Sequence, residues 1–422
     1  MTTPTAPTET PAPQAPAADP RLLVRSGGLT GYLDDLRRRL AGGELGSAPV
    51  VIGLILIAVI FQSVTGHFLQ ADNLTNITKY IAGPGLIAVG VVFVLLLGEI
   101  DLSLGSVAGV CAAIASVLAV RQGVSEWLAV AAALAAAAAM GALHGLFFAR
   151  IGVPALVVTL AGMLAWSGLQ EYVLGDLGTI NNRHDGLIAT LDTHFLGDGD
   201  IAYAWALAIL APALYLLAQL RTARRRRQAG LTARPTTDIA LRAGALAVLA
   251  LPLAYALNQD RGLPLPLVVL VGVVAGTDFV LRRTAWGRQV FAVGGGIEAA
   301  RRAGINVARV RISVYMTSAT LAGLGGLFIA SQQGSADKQL GGGNVLMSAI
   351  AAAVIGGTSL FGGRGKTWSA LLGILVIQSI TTGLDMVHAA QAIQYMITGA
   401  VLLAAVVLDS VSRRTRAGAA RT

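Results

Sequence analysis

Charge is scarce in this sequence. Of its 422 residues 13% are Asp, Glu, Lys or Arg and 55% are apolar, whereas ordinary soluble domains carry about 25% charged residues. That balance, with a mean hydropathy of +0.69, excludes a chain folded wholly in water. Cysteine is nearly absent. Cys111 stands alone inside an apolar run, which excludes an intramolecular disulfide. The histidines His67, His144, His184, His194 and His388 show none of the short spacings of a metal site, and His144 reads as a satisfied interior side chain. No nucleophile–base constellation adjoins a water-accessible pocket, and no cofactor motif occurs. We therefore expect no catalytic residue, no metal and no cofactor held by this chain, and set aside an intramembrane enzyme. Residues 1–20, rich in Pro, Thr and Ala, lack the basic and apolar regions of a secretory signal and read as disordered.

Apolar length is what the chain has in abundance. Twelve stretches are long enough, or nearly so, to cross a hydrocarbon core of roughly 30 Å. They lie near 48–66, 79–98, 102–120, 127–149, 153–174, 201–220, 239–257, 263–281, 312–330, 343–361, 367–386 and 391–408. The expected fold is an all-α polytopic bundle over 48–408, between a tail at 1–47 and a tail at 409–422. Residues 29–40 could lie as an amphipathic helix on the membrane surface, or be an ordinary solvated helix. With both termini cytoplasmic, 25 of the 31 basic residues fall on cytoplasmic segments. External loops then hold four: Arg121, Arg183, Arg261 and Lys338. This is the positive-inside pattern, so the net charge of +9 reports topology and not nucleic acid. The long external loop, 175–200, agrees, with five aspartates and one arginine. Arg224–Arg227 reads most simply as a stop-transfer signal anchored in lipid headgroups, which makes membrane lipid a partner.

Arg282–Arg311 is the most informative segment, with seven arginines against one acid, Glu298. At its centre Gly294, Gly295 and Gly296 free the start of a short helix. Glu298 in its first turn and Arg301 and Arg302 in its last complement the macrodipole. Glu298 and Arg302 form an i,i+4 pair, and Gly304 suits the left-handed residue past the end. Two turns are too short to be stable alone, so this helix must dock. Ala299, Ala300 and Ala303 give it a smooth flank for another protein, as in a part that receives force from outside the bilayer.

Elsewhere Gly98-Glu99-Ile100-Asp101-Leu102-Ser103 places two carboxylates between apolar runs. Acids at membrane depth are costly and usually functional or paired. Asp101 or Ser103 can cap the helix that follows. A glycine-broken helix is one way transporters expose polar backbone to substrate; the other reading is a tight, solvated cytoplasmic turn. Thr159 joins Glu99, Asp101 and Ser103 as a candidate for a translocation pathway. The run Gly365-Lys366-Thr367 ends like a phosphate loop, but the position that needs the leading glycine is Leu360. We reject a nucleotide site there and read its glycines as packing and turn residues. Gly141 and Gly145 have a close-packing spacing that is weak evidence for a dimer face.

Four strings occur together and in order: Gly98–Ser106 (GEIDLSLGS), Val153–Met163 (VPALVVTLAGM), Thr284–Ile305 (TAWGRQVFAVGGGIEAARRAGI) and Ala349–Gly363 (AIAAAVIGGTSLFGG). Through them the chain resembles the permease subunits of bacterial monosaccharide ABC importers over about 50–410. The extra spans around 201–257 resemble the xylose-type branch. The resemblance implies a homodimeric inner-membrane permease for D-xylose or a related pentose. A cytoplasmic ATPase binding ATP and Mg, and an extracytoplasmic sugar-binding protein, would be its partners. Gly294–Gly296, Glu298, Ala299, Ala300, Arg301, Arg302 and Gly304 match the family's coupling helix. Two departures stand out. Leu346, Met347 and Ser348 replace the family's Glu-Leu-Asp, and Gly296 replaces an asparagine cap. The competing class is an ion-gradient carrier, with Glu99 and Asp101 as ion sites.

Overall fold

The structure, a computed structural model, describes residues 48–197, 203–231 and 233–419. The expectations for residues 1–47 lie outside these residues. Helix α1 (Ala48–Thr65) leads into α2 (Ala71–Tyr80) and α3 (Ala82–Leu96), which meet at a 41° bend. Next come α4 (Leu104–Ser116), α5 (Glu126–Leu146) and α6 (Ala155–Leu174), the first two ending in π turns. A folded connection, β1 (Thr179–Asn181), α7 (Leu187–Thr193) and β2 (Phe195–Leu196), precedes α8 (Tyr203–Gln228) and α9 (Thr236–Gln259). The chain continues with β3 (Leu263–Pro264), α10 (Leu265–Arg283), α11 (Ala285–Gly295), α12 (Ile297–Arg302) and α13 (Val307–Gln333). It closes with β4 (Ser335–Asp337), α14 (Gly343–Ile355), α15 (Thr367–Met386) and α16 (Gln391–Ala419).

Among the described residues eight helices are long and apolar enough to cross a membrane, or nine if the bent α2–α3 pair is one span. Three further apolar helices are shorter. The sequence pattern ran some stretches past where the helices stop. The expected span 343–361 ends at Ile355, because the glycine-rich run after it turns instead of continuing the helix.

Helix α3 is the axis of the bundle. From Ala82 to Leu96 every residue except Pro84 is buried, as a helix apolar on all sides requires. Against it and α4 lies the long α13, and small residues let these backbones approach closely. Gly326 faces the Ala108 carbonyl, Gly323 abuts Cys111, and Ser318 Oγ donates to the Gly90 carbonyl at 2.8 Å. Gly141 and Gly145 press on the α13 backbone at Tyr315 and Ile312; that spacing serves packing within the protomer. Helices α8 and α9 pack on each other and, through α9, on α2.

The expected external loop is a built cap. β1 pairs antiparallel with β4 and β2 with β3. Glu126 accepts a hydrogen bond from the Ile188 amide at 2.8 Å, starting α7, and Lys79 reaches Asp192 at 2.8 Å in a largely buried ion pair. The cap closes one end of the bundle. The candidate site occupies the other.

Candidate functional site

Helix α12 is short because both its ends are fixed by backbone geometry. Gly296 before it is extended, with φ of 172°. After it Gly304 takes φ +77°, a conformation costly for any residue with a Cβ, and the Ile305 amide returns to the Ala300 carbonyl at 3.0 Å. Two residues later Asn306 caps α13, its side-chain oxygen accepting from the Arg309 amide at 3.0 Å. Helix α12 is therefore coupled to the first turn of the core helix α13.

Several sequence expectations are corrected here. Glu298 pairs with Arg301 at 3.1 Å, the i+3 neighbour, and not with Arg302; both positions are close on a helix surface. Ala300 is buried in the same cluster as Val307 and Val310, so it cannot touch a partner. The exposed face consists of Glu298, Ala299, Arg301, Arg302, Ala303 and Gly304. Gly294 and Gly295 end α11 instead of opening α12, and Gly294 lodges against the Leu96 carbonyl.

The glycine-rich turn 356–366 packs on the same spot. The Gly363 amide donates to the Leu96 carbonyl at 2.9 Å, and Gly362 sits beside Gly294 and Gly98. Thr367 is buried, its hydroxyl committed to the Val274 carbonyl at 2.9 Å, and the element before the turn is the helix α14. Neither feature belongs to a phosphate loop, which opens from a strand.

The break between α3 and α4 buries its polar groups. Glu99 forms an ion pair with Arg311 of α13 at 3.2 Å, and only 9% of its side chain is exposed. The Arg311 guanidinium lies 4.2 Å over the Phe148 ring. Burial pushes the Glu99 carboxyl up to about 7, against the opposing pull of Arg311. Asp101 turns the other way. Its Oδ1 accepts from the Ser103 amide at 2.8 Å and from Ser103 Oγ at 2.6 Å, so neither side chain caps α4 as expected. Among the described residues its buried Oδ2 has no hydrogen-bond partner. The Thr159 hydroxyl, also buried, lies 3.4 Å from the Ile100 carbonyl and 3.3 Å from that of Leu156.

Two residues outside the sequence candidates complete this network. Trp166 Nε1 donates to His144 Nε2 at 2.9 Å, and His144 Nδ1 lies 3.2 Å from Ser103 Oγ. An indole N–H only donates. The neutral imidazole then carries its proton on Nδ1 and gives it to Ser103, whose own proton goes to Asp101. A directed chain thus ties α6 and α5 to the break. Asp101, Ser103 and Thr159 come together there, while Glu99 faces the base of α13. None of the four lines the concavity of about 360 Å³ between Phe93, Thr277, Trp286 and Thr317. Of the three residues that stand where Glu-Leu-Asp was expected, Leu346 is buried beside Gly105, Ser348 is half-buried and Met347 is exposed.

Comparison with known proteins bears on what this arrangement serves. Residues 73–406 match the family described as branched-chain amino acid transport system / permease component. The xylose transport system permease protein of Escherichia coli K12 is 34% identical over 368 residues, covering 86% of this chain and 92% of that protein. The Haemophilus influenzae protein of the same name is 33% identical, over 86% and 97%. The ribose import permease protein of Escherichia coli K12 is 28% identical, over 89% and 97%. No solved structure matches significantly. Similarity to permeases over most of the chain, with at least eight membrane-length helices, makes this a multi-pass inner-membrane protein.

Proposed function

Since the chain belongs to the permease component family of branched-chain amino acid transport systems, with the xylose permeases among its relatives, we propose that it is the translocation subunit of an ATP-driven importer of D-xylose or a related pentose. Its partners are a second copy of the chain, a cytoplasmic ATPase that binds ATP and Mg, and an extracytoplasmic sugar-binding protein. The twelve apolar stretches cross as twelve segments with both termini in the cytoplasm, which agrees with the positive-inside bias. The subunit performs no covalent chemistry.

One observation carries the reading: an exposed short helix, α12, is anchored by Ala300 and joined within four residues to α13, which packs on α3, α4 and α5. Force applied by an ATPase to α12 enters the centre of the bundle. The Glu99–Arg311 pair then links that motion to the α3–α4 break, and the Asp101–Ser103–His144–Trp166 chain carries it to α6. A rigid-body change of this kind switches which side of the bilayer a cavity faces. In this reading the buried acids hold the break in place. The test is to co-express the chain with candidate sugar-importer ATPases, purify it, and measure hydrolysis with sugar and a sugar-binding protein added. Stimulation by D-xylose or another pentose supports the reading. An ATPase that never co-purifies would exclude it.

A further inference from the structure

Helix α8 carries an apolar stripe that turns cationic along one face. Leu207, Leu210, Leu214 and Leu217 follow the i+3, i+4 spacing and are all exposed. The next positions on that stripe are Arg221 and Arg224, also exposed. At 1.5 Å per residue the stripe runs about 21 Å from Leu207 to Arg221, enough to place the guanidinium groups at headgroup depth above the acyl chains. Arg225, Arg226 and Arg227 extend the charge.

These arginines differ from many others in the chain. Arg242 pairs with Asp238, Arg282 with Asp278, Arg301 with Glu298 and Arg311 with Glu99. Among the described residues Arg221 and Arg224–Arg227 have no acidic partner. The first carboxylate after these arginines, Asp238 in the opening turn of α9, is already taken by Arg242. Favourable alignment with the helix dipole accounts for part of their placement but leaves five positive charges unneutralised. The hairpin's opposite face is occupied: Ala204, Ala208, Pro212 and Ala223 are buried.

We propose that Arg221 and Arg224, supported by Arg225–Arg227, form a headgroup site for an anionic phospholipid whose acyl chains lie along the leucine stripe. A guanidinium binds phosphate through a bidentate fork, and only a lipid also uses the apolar stripe. A free phosphate would ignore the stripe, and an acidic protein segment would leave its leucines uncovered. This site is separate from α12 and from the α3–α4 break.

The experiment uses the full-length protein in neutral detergent. Its melting midpoint is followed while phosphatidylglycerol, phosphatidylcholine or inorganic phosphate is added, since a ligand that binds only the folded state raises it. Phosphatidylglycerol alone should raise it. In Arg221→Gln/Arg224→Gln, which keeps Arg225–Arg227 to hold topology, the apparent affinity should fall about 25-fold, from roughly fivefold for each arginine near an anionic surface. Arg221→Lys/Arg224→Lys should lose much less. In parallel, a photoactivatable phosphatidylglycerol on the wild-type chain should label the 207–231 segment above other lipid-facing helices, a readout independent of any variant. Protection by phosphate equal to that by phosphatidylglycerol, an unchanged affinity in the glutamine variant, or labelling spread evenly over the helices would each overturn the proposal.

Discussion

Ala300 and Ala303 are the same residue three positions apart, yet one faces the core and the other faces out. Ala300→Trp should therefore damage the fold itself, since overpacking a filled core costs about 1–3 kcal/mol or more. Ala303→Trp should leave the melting midpoint close to wild type and prevent ATPase from co-purifying; retention of the ATPase by Ala303→Trp would remove α12 from the coupling role. The sequence showed three alanines on a short helix. It could not show which of them was covered, because a two-turn helix has no long periodic stripe to define its faces. Glu99 provides a pH test. Its folded carboxyl titrates near 7 because burial disfavours the charge, against an ordinary value of 4.5. The folded state therefore holds that proton more tightly than the unfolded state. The resulting stability is complete below about pH 4.5, declines as pH rises through 7, and amounts to on the order of 3 kcal/mol. The wild-type melting midpoint should fall between pH 5 and pH 8, and Glu99→Gln should flatten that fall. Parallel curves for the two proteins would show that Glu99 does not titrate in this window.

The α3–α4 break shows what a sequence tells about an element and what it hides. Two carboxylates and a serine between apolar runs are visible in the letters, as is the glycine, Gly98, that ends α3 with φ +79°. The partners are not visible, because His144 and Trp166 each look like an isolated polar residue in an apolar helix, and Arg311 reads as one more arginine of the segment 282–311. Asp101→Ala would remove the acceptor that holds Ser103 and leave the Trp166–His144 chain without an end. Sugar uptake should drop at least tenfold while the protein is still expressed and inserted. Uptake at the wild-type rate in a Glu99→Ala/Asp101→Ala variant would show that the break is a passive turn. Some long apolar helices were legible almost residue by residue, as the expected 367–386 was, whereas α8 runs on to Gln228 and α13 begins at Val307, where polar residues hide the helix from an apolar pattern. The cap was not legible, because its short strands find partners far along the chain, Thr179 opposite Asp337 and Leu196 opposite Leu263, and leave no local period.

For the whole molecule, the account makes this chain a passive conduit whose energy comes from elsewhere. The fold supports that division: the cap with Lys79–Asp192 closes one end, the α12 surface stands at the other, and α13 runs between them. The buried Glu99–Arg311 pair and close glycine contacts along α3, α4 and α13 favour rigid bodies that move together over local flexing. An ion-gradient carrier would need neither α12 nor an ATPase and would need titratable groups free to release ions. The measurement that separates the two is uptake of labelled D-xylose into proteoliposomes holding the permease, its ATPase and its sugar-binding protein. The account predicts accumulation that requires ATP together with the ATPase and is unchanged when ionophores collapse proton and sodium gradients. Uptake by the permease alone, driven by an imposed ion gradient and indifferent to ATP, would contradict it.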